Sequence, residues 1–207
     1  MKFLTVVNSV LSENTYIVYD ENTLSGFLID PGSDREKIED ELKKNGVKAE
    51  AVFLTHGHFD HALSAKYFKD KGMKVYIHRA DADKLTGHKY DMSRFFGTNF
   101  DTLDADALLD DGEIIEIAGT KVKVIHTPGH SAGGVCLYFE KENIVFTGDT
   151  LFCGDIGRTD FEDGNYELLK GSICSKLFTL PRETVVYPGH EESTSIEDES
   201  KNKNLFL

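Results

Sequence analysis

Five histidines and two aspartates stand where apolar segments of this chain run out into tight turns, and all seven side chains are groups that bind divalent metals. The densest run is His56-Gly57-His58-Phe59-Asp60-His61. It follows Ala51-Val52-Phe53-Leu54, which reads as a buried strand, and precedes Ala62 to Phe68, which reads as a helix stopped by Gly72. Three later stretches repeat the pattern with one donor each. Val122-Lys123-Val124-Ile125 leads through Thr127-Pro128-Gly129 to His130. Ile144-Val145-Phe146 leads through Thr147-Gly148 to Asp149, and Val185-Val186-Tyr187 through Pro188-Gly189 to His190. Glycine and proline allow the sharp backbone that aims a side chain off a sheet end. A lone Gly-His means little; four such turns together make a strong signal.

Seven donors exceed one tetrahedral zinc and suit two metals about 3.5–4 Å apart sharing a bridge. Asp149 is the natural bridge, because a carboxylate offers two oxygens where an imidazole nitrogen offers one lone pair. His56, His58 and His130 are assigned to the first metal, and Asp60, His61 and His190 to the second. Zinc is the first expectation for both, with iron and manganese compatible with the same donors. His78, His88 and His126 read as structural.

The elements that must position these groups fall into two halves. Residues 2–7, 14–19 and 24–30 read as strands joined by polar turns, followed by a helix over 34–45 with Ser33 as N-cap and Glu36 completing a capping box. A strand at 73–78 and a short helix near 80–86 follow the histidine run. Residues 87–104 carry Tyr90, Met92, Phe95, Phe96 and Phe100 in a polar segment, which reads as a covering loop plugging the core or as a wall of the substrate cleft. The second half offers strands at 113–118, 121–126, 134–139 and 143–147, a loop over 148–164, a helix at 165–178, a strand at 184–187 and a helix-competent tail. Strands first and helices after, twice, predict two packed sheets with helices outside.

The chain has 207 residues and a formal net charge of −13, with three cysteines in no CxxC pair. That length buries a core without staples. The charge argues against a nucleic-acid surface, which needs clustered Lys and Arg. An odd cysteine count makes a disulfide framework an unsuitable reading and fits a reducing cytoplasm. The N-terminal apolar run is too short for a signal or a membrane span. A cytoplasmic protein with a small-molecule substrate, no nucleic acid and no membrane partner is expected; these residues carry no information on oligomeric state.

The pattern His-x-His-x-Asp-His, then Thr-Pro-Gly-His, Thr-Gly-Asp and Pro-Gly-His resembles the metallo-β-lactamase-fold hydrolase superfamily, from Ile29-Asp30-Pro31-Gly32 to the tail. Gly148-Asp149-Thr150-Leu151-Phe152 followed by Gly157-Arg158-Thr159-Asp160 is similar to its glyoxalase II group of thioester hydrolases. The resemblance implies an α/β (α+β) four-layer αββα sandwich of two mixed sheets, one domain over 1–207, with a dinuclear site at one edge. The best-known β-lactamases carry a cysteine where this chain has Asp149, which argues against antibiotic hydrolysis. The long arm and basic surface of the tRNA-processing members are not visible. The chain ends 17 residues after His190 (207 minus 190), so the C-terminal helical domain with which full-length glyoxalase II contacts glutathione is expected to be missing. A short glyoxalase II-like protein is expected, with glutathione itself open to question.

The expected reaction is attack on a thioester by a hydroxide bridging two divalent metals, with Asp60 and Asp149 as catalytic carboxylates. The thiolate leaves with little need of an acid. Arg158, by resemblance, sits where these enzymes anchor substrate; the bland alternative is that it pairs with Asp155 or Asp160 and pins the loop. Cys153 reads as a small buried residue, and Asp30 as a hydrogen-bond partner of a ligand histidine or a turn cap. The chief rival is a mononuclear non-haem iron persulfide dioxygenase, using His56, His130 and Asp149 as a two-His-one-carboxylate set; that group resembles the chain too. A non-enzymatic binding module is the third class, which the full donor set argues against.

Overall fold

The computed structural model describes residues 1–87 and 93–206, apart from the Arg94 side chain. Its first half holds β1 (Lys2–Val7), β2 (Asn14–Tyr19), β3 (Ser25–Ile29), α1 (Arg35–Asn45), β4 (Lys48–Phe53), α2 (Phe59–Ala62), α3 (Ala65–Asp70), β5 (Lys74–His78) and β6 (Ala107–Leu109). The second holds β7 (Ile114–Ile117), β8 (Thr120–His126), β9 (Val135–Phe139), β10 (Ile144–Gly148), α4 (Tyr166–Ser175), β11 (Val185–Pro188), β12 (Thr194–Ser195) and α5 (Ile196–Lys201). They form two six-stranded sheets, ordered β1-β2-β3-β4-β5-β6 and β12-β11-β10-β9-β8-β7. Both sheets are mixed: β1 to β3 pair antiparallel and β3 to β6 parallel, while β7 to β10 pair antiparallel and β10 with β11 parallel.

The central strands β2, β3, β9 and β10 read as near-continuous apolar runs because both of their faces are covered. In β2, Tyr16 and Val18 point between the sheets, while Ile17 and Tyr19 face the helix layer containing Ile38, Leu42 and Phe68. In β9, Val135, Leu137 and Phe139 meet the first sheet, while Cys136 and Tyr138 face Leu169 and Ile173 of α4. Alternation thus builds three apolar layers, and the expected four-layer αββα sandwich is the observed fold. No helix among the described residues is long and apolar enough to cross a membrane.

Some local expectations need correction. Helix α1 starts at Arg35 behind Asp34, with no side-chain cap. Ser33 instead spends its hydroxyl on the loop, accepting from Val10 N–H (3.1 Å) and donating to Asp34 (2.9 Å). The single helix expected after Asp60 is two, because Ser64 N–H bonds Pro31 O (3.0 Å) rather than continuing the helix ladder. Residues 82–86 form a 3-10 turn, and α4 ends at Ser175, with a separate 3-10 turn over 177–179. Strands β6 and β12 are short edge strands that carried no readable pattern.

Candidate metal centre

The four turns meet at one edge of the sandwich. His56 and His58 follow β4, with Asp60 and His61 in the single turn of α2; His130, Asp149 and His190 follow β8, β10 and β11. Two of the glycines are dictated by crowding. A Cβ on Gly148, which sits at φ +49°, would lie 2.2 Å from Thr55 Oγ1, and one on Gly189 would lie 2.4 Å from Asp149 Oδ1. Neither position can take a larger side chain without moving the donors.

Hydrogen bonds fix how the imidazoles present themselves. His56 Nδ1 lies 3.1 Å from Thr55 Oγ1, whose own proton goes to Asp30 Oδ2 (2.6 Å). His130 Nδ1 donates to Arg158 O (2.8 Å) and His190 Nδ1 to Leu11 O (3.0 Å). His61 Nδ1 donates to Asp30 Oδ2 (3.0 Å). When neutral, each of these four rings therefore carries its proton outward and turns the Nε2 lone pair inward. The lone pairs converge. His56 Nε2 and His130 Nε2 lie 3.0 and 2.9 Å from His58 Nδ1, and His61 Nε2 lies 3.3 Å from His190 Nε2.

His56, His58 and His130 thus form one trio within reach of a single ion, and Asp60, His61 and His190 a second. Asp149 lies between them, with Oδ1 3.2 Å from His61 Nε2 and Oδ2 3.5 and 3.6 Å from His130 and His190 Nε2. Its Oδ1 is buried without a hydrogen-bond donor. Unprotonated nitrogens facing each other beside a buried carboxylate oxygen repel unless a cation sits among them, so the donor set fits divalent metal.

The two trios differ electrically. Burial, then the neighbouring rings, holds His56 well below the usual histidine range and brings His58 down to about 3. Burial also opposes charge on His61, but Asp149 and Asp60 outweigh it and hold the ring well above its usual range, so an ion taking the Nε2 lone pair there displaces a proton. Burial would push the Asp149 and Asp60 carboxyls up; His61 chiefly reverses this and keeps both below the ordinary carboxylate range.

A cavity of about 920 Å³ opens onto the donors, with Val7, Leu11, Phe59, Phe96, Phe152, Ile156 and Phe161 among its walls. Arg158 also lines it, and its Nε and Nη2 donate side-on to Asp160 (3.0 and 2.9 Å) while the guanidinium lies 4.8 Å from the Phe161 ring centre. The pairing that pins the loop is therefore present. Phe96 stacks on Phe59 at 5.4 Å and Phe100 packs on the core, so the aromatic segment serves both expected roles; His88, Tyr90 and Met92 lie outside the described residues. His78 and His126 stack on each other at 4.0 Å, away from the trios. Cys153 is half-exposed rather than buried, and its thiol, pushed up by what burial it has and by Glu192, lies beside that carboxylate.

The sequence reading missed a buried charge cluster behind the trios. Asp81 accepts from Gly57 N–H (2.8 Å), between His56 and His58, and from Gly133 N–H (2.7 Å), just past His130. Lys84, almost wholly buried, bridges Asp81 (3.0 Å) and Asp163 (2.7 Å). The available signal was that Tyr76-Ile77-His78 runs out to Asp81 as the other strands run out to their donors.

A family model for the "Metallo-beta-lactamase superfamily" matches residues 8–190. The chain belongs to that superfamily. Among curated relatives of this metallo-β-lactamase-superfamily chain, the probable metallo-hydrolase YqgX of Bacillus subtilis is 35% identical over 100% of this chain and 98% of its own length. The hydroxyacylglutathione hydrolase GloC of Haemophilus influenzae is 31% identical over 96% of this chain and 94% of its own, supporting the glyoxalase II-like group. Among solved structures, the BLEG-1 B3 metallo-beta-lactamase superposes with TM-score 0.92 at 34% identity, each chain covered completely. TTHA1623, solved in a di-iron-bound form, gives 0.85 at 34% identity over 99% of this chain and 100% of that one. ETHE1 from Myxococcus xanthus gives 0.79 at 29% over 99% and 83%. The chain is thus an enzyme of the metallo-hydrolase superfamily, with a His/Asp cluster able to bind divalent metal.

Proposed function

We propose that this protein is a dinuclear, zinc-dependent thioester hydrolase of the glyoxalase II-like kind, acting on S-lactoylglutathione or a related acyl-thiol. The observation carrying the reading is the convergence of two donor trios on the two oxygens of Asp149. GloC, a thioester hydrolase by name, is the relative that supports the reaction type. His56, His58 and His130 would hold one ion, Asp60, His61 and His190 the other, and Asp149 both. Bound there, two divalent cations would bring a shared water close to neutral pKa and polarise a carbonyl.

The protein's own groups supply the rest. Asp60, kept ionised beside His61 and His190, lines the cavity and is placed to orient the attacking water or take its proton at Oδ2, which lies 3.5 Å from His190 Nε2. The outward hydrogen bonds of His56, His61, His130 and His190 hold the rings in one tautomer. Apolar walls line the approach to the donors, and a thiolate departs without a dedicated acid.

Elemental analysis of the purified protein, paired with S-lactoylglutathione, simple thioesters, esters and a β-lactam, tests this; the β-lactam is included because of the BLEG-1 neighbour. Two zinc ions per chain with thioester turnover is the expected result. Asp149→Ala should lose metal and turnover together; hydrolysis persisting at full metal content would sink the assignment. The second reading is the mononuclear iron dioxygenase, which has the ETHE1 structure in its favour. It leaves the Asp60, His61 and His190 trio without a task, and one iron per chain with oxygen uptake on a persulfide would put it first.

A further inference from the structure

We propose that the cavity selects an uncharged, apolar substituent on its substrate in preference to an anionic conjugate such as glutathione. The inference rests on the hydrolase reading above for its reaction and adds which molecule the centre receives.

Large apolar side chains crowd one opening. Val7, Leu11, Phe95 and Phe96 are four of the eight large apolar side chains left exposed among the described residues, and none of the four is needed to fill a core. Three of them line the cavity, and Phe95 packs edge-on against Phe96 at 5.5 Å. Phe152 and Ile156 line the cavity too, with Phe161 against the ring of His58 (4.9 Å). Scattered exposed hydrophobics need no explanation, but a gathered patch around a catalytic hole marks what the hole accepts.

Charge at the same opening points the same way. Beyond the donor carboxylates Asp60 and Asp149, the acidic residues among the described lining are Asp155 and Glu191, and Arg158 is the one Lys or Arg there. Its charge is offset by Asp160, and two of its nitrogens are already engaged there. What remains is an N–H edge of a guanidinium already partnered by Asp160, which suits a neutral carbonyl oxygen better than it suits a free carboxylate. Away from the metal donors, a glutathione arm of net charge −1 (two carboxylates and one ammonium) would meet Asp155 and Glu191, with the paired Arg158 as the one described Lys or Arg to receive its carboxylates. An acyl chain, an aryl ring or a neutral thiol would instead be covered by Phe96, Leu11 and Phe152.

Two measurements on the metal-loaded protein decide it. In the first, kcat/KM is compared for acetyl, butyryl and hexanoyl thioesters of N-acetylcysteamine and for S-lactoylglutathione. It should rise about fourfold per added methylene, the value of a buried CH2, and a flat or falling series overturns the inference. In the second, calorimetry compares two uncleavable thioethers, S-hexyl-N-acetylcysteamine and S-hexylglutathione. The neutral one should bind about tenfold tighter, as like-charge juxtaposition penalises the other; the reverse order overturns the inference. This binding ratio needs no turnover, so a protein that hydrolyses no thioester would defeat the hydrolase reading while the ratio still decides the selectivity. Phe96→Arg should move the ratio about tenfold towards the glutathione thioether by supplying a free cation. An unmoved ratio in the folded variant also overturns it.

Discussion

Asp30 shows how much one residue can contribute from behind a metal site. Its Oδ1 accepts from Thr55 N–H (2.7 Å), and its Oδ2 takes both the Thr55 hydroxyl and His61 Nδ1. Through Thr55 it also orients His56, so one carboxylate serves a ring in each trio. It does this from a left-handed backbone, φ +48°, which in a residue with a side chain costs about 1–3 kcal/mol. Asp30→Asn should keep the fold and weaken metal binding about 10–100-fold, measured by competition with a chromophoric chelator; unchanged affinity would mean that the rings orient themselves. The donors themselves were legible because their types and turns are local features. The reading of Asp30 as a partner of a ligand histidine, and the alternative of Arg158 as a loop pin, both rest on short-range chemistry and match the contacts seen. Asp81 was missed although a strand runs out to it, since besides Lys84 its partners are the backbone amides of Gly57 and Gly133, and amides leave no mark in a sequence.

At the scale of elements, the charge cluster of Asp81, Lys84 and Asp163 ties three loops to each other. The loop after β4 enters through Gly57, the loop after β8 through Ala132 and Gly133, and the loop before α4 through Asp163, which accepts from Ala132 N–H (3.0 Å). Truncating Asp81 leaves a buried ammonium short of a counter-charge and two amides without an acceptor. Asp81→Ala should therefore destabilise by about 3–5 kcal/mol in chemical denaturation, with metal content falling in the folded fraction. A loss within experimental error would show that the loops hold their shape unaided. Element boundaries were the less legible part. The break between α2 and α3 comes from Pro31 O, thirty-three residues upstream of Ser64, and Ser33 lost its capping role to Val10 of another loop. Strands β6 and β12 exist because a neighbouring strand offers an edge, not because their own residues alternate.

For the whole molecule, the apolar runs did reveal two sheets covered on both faces, because strands buried in the middle of a sandwich have no polar side to confuse the reading. The same burial makes a prediction far from the metals. Cys136 is wholly buried, and burial pushes its thiol up to about 11 from the ordinary 9.0. Between those values the unfolded chain has released the proton and the folded one has not, so stability falls as pH rises, by up to about 2–3 kcal/mol across the window. Cys136→Ala should make that alkaline limb shallower in urea titrations at pH 8 and pH 10.5, the Tyr16, Tyr138 and Tyr187 hydroxyls, which burial also pushes up, keeping part of it, and an equally steep limb would refute the cause. A last consequence follows from the seam where β2 begins. Asn14 N–H bonds Gly189 O (2.7 Å), Tyr16 Oη donates to Pro188 O (2.6 Å), and Leu11 O orients His190. The β1–β2 hairpin is thus the clamp for His190, 179 residues further along the chain from Leu11, and closing so long a loop is slow. Capture of an ion by the Asp60, His61 and His190 trio is accordingly expected late in folding. In refolding with zinc present, ion uptake should lag the far-ultraviolet dichroism signal, and simultaneous phases would show that the centre assembles before the seam.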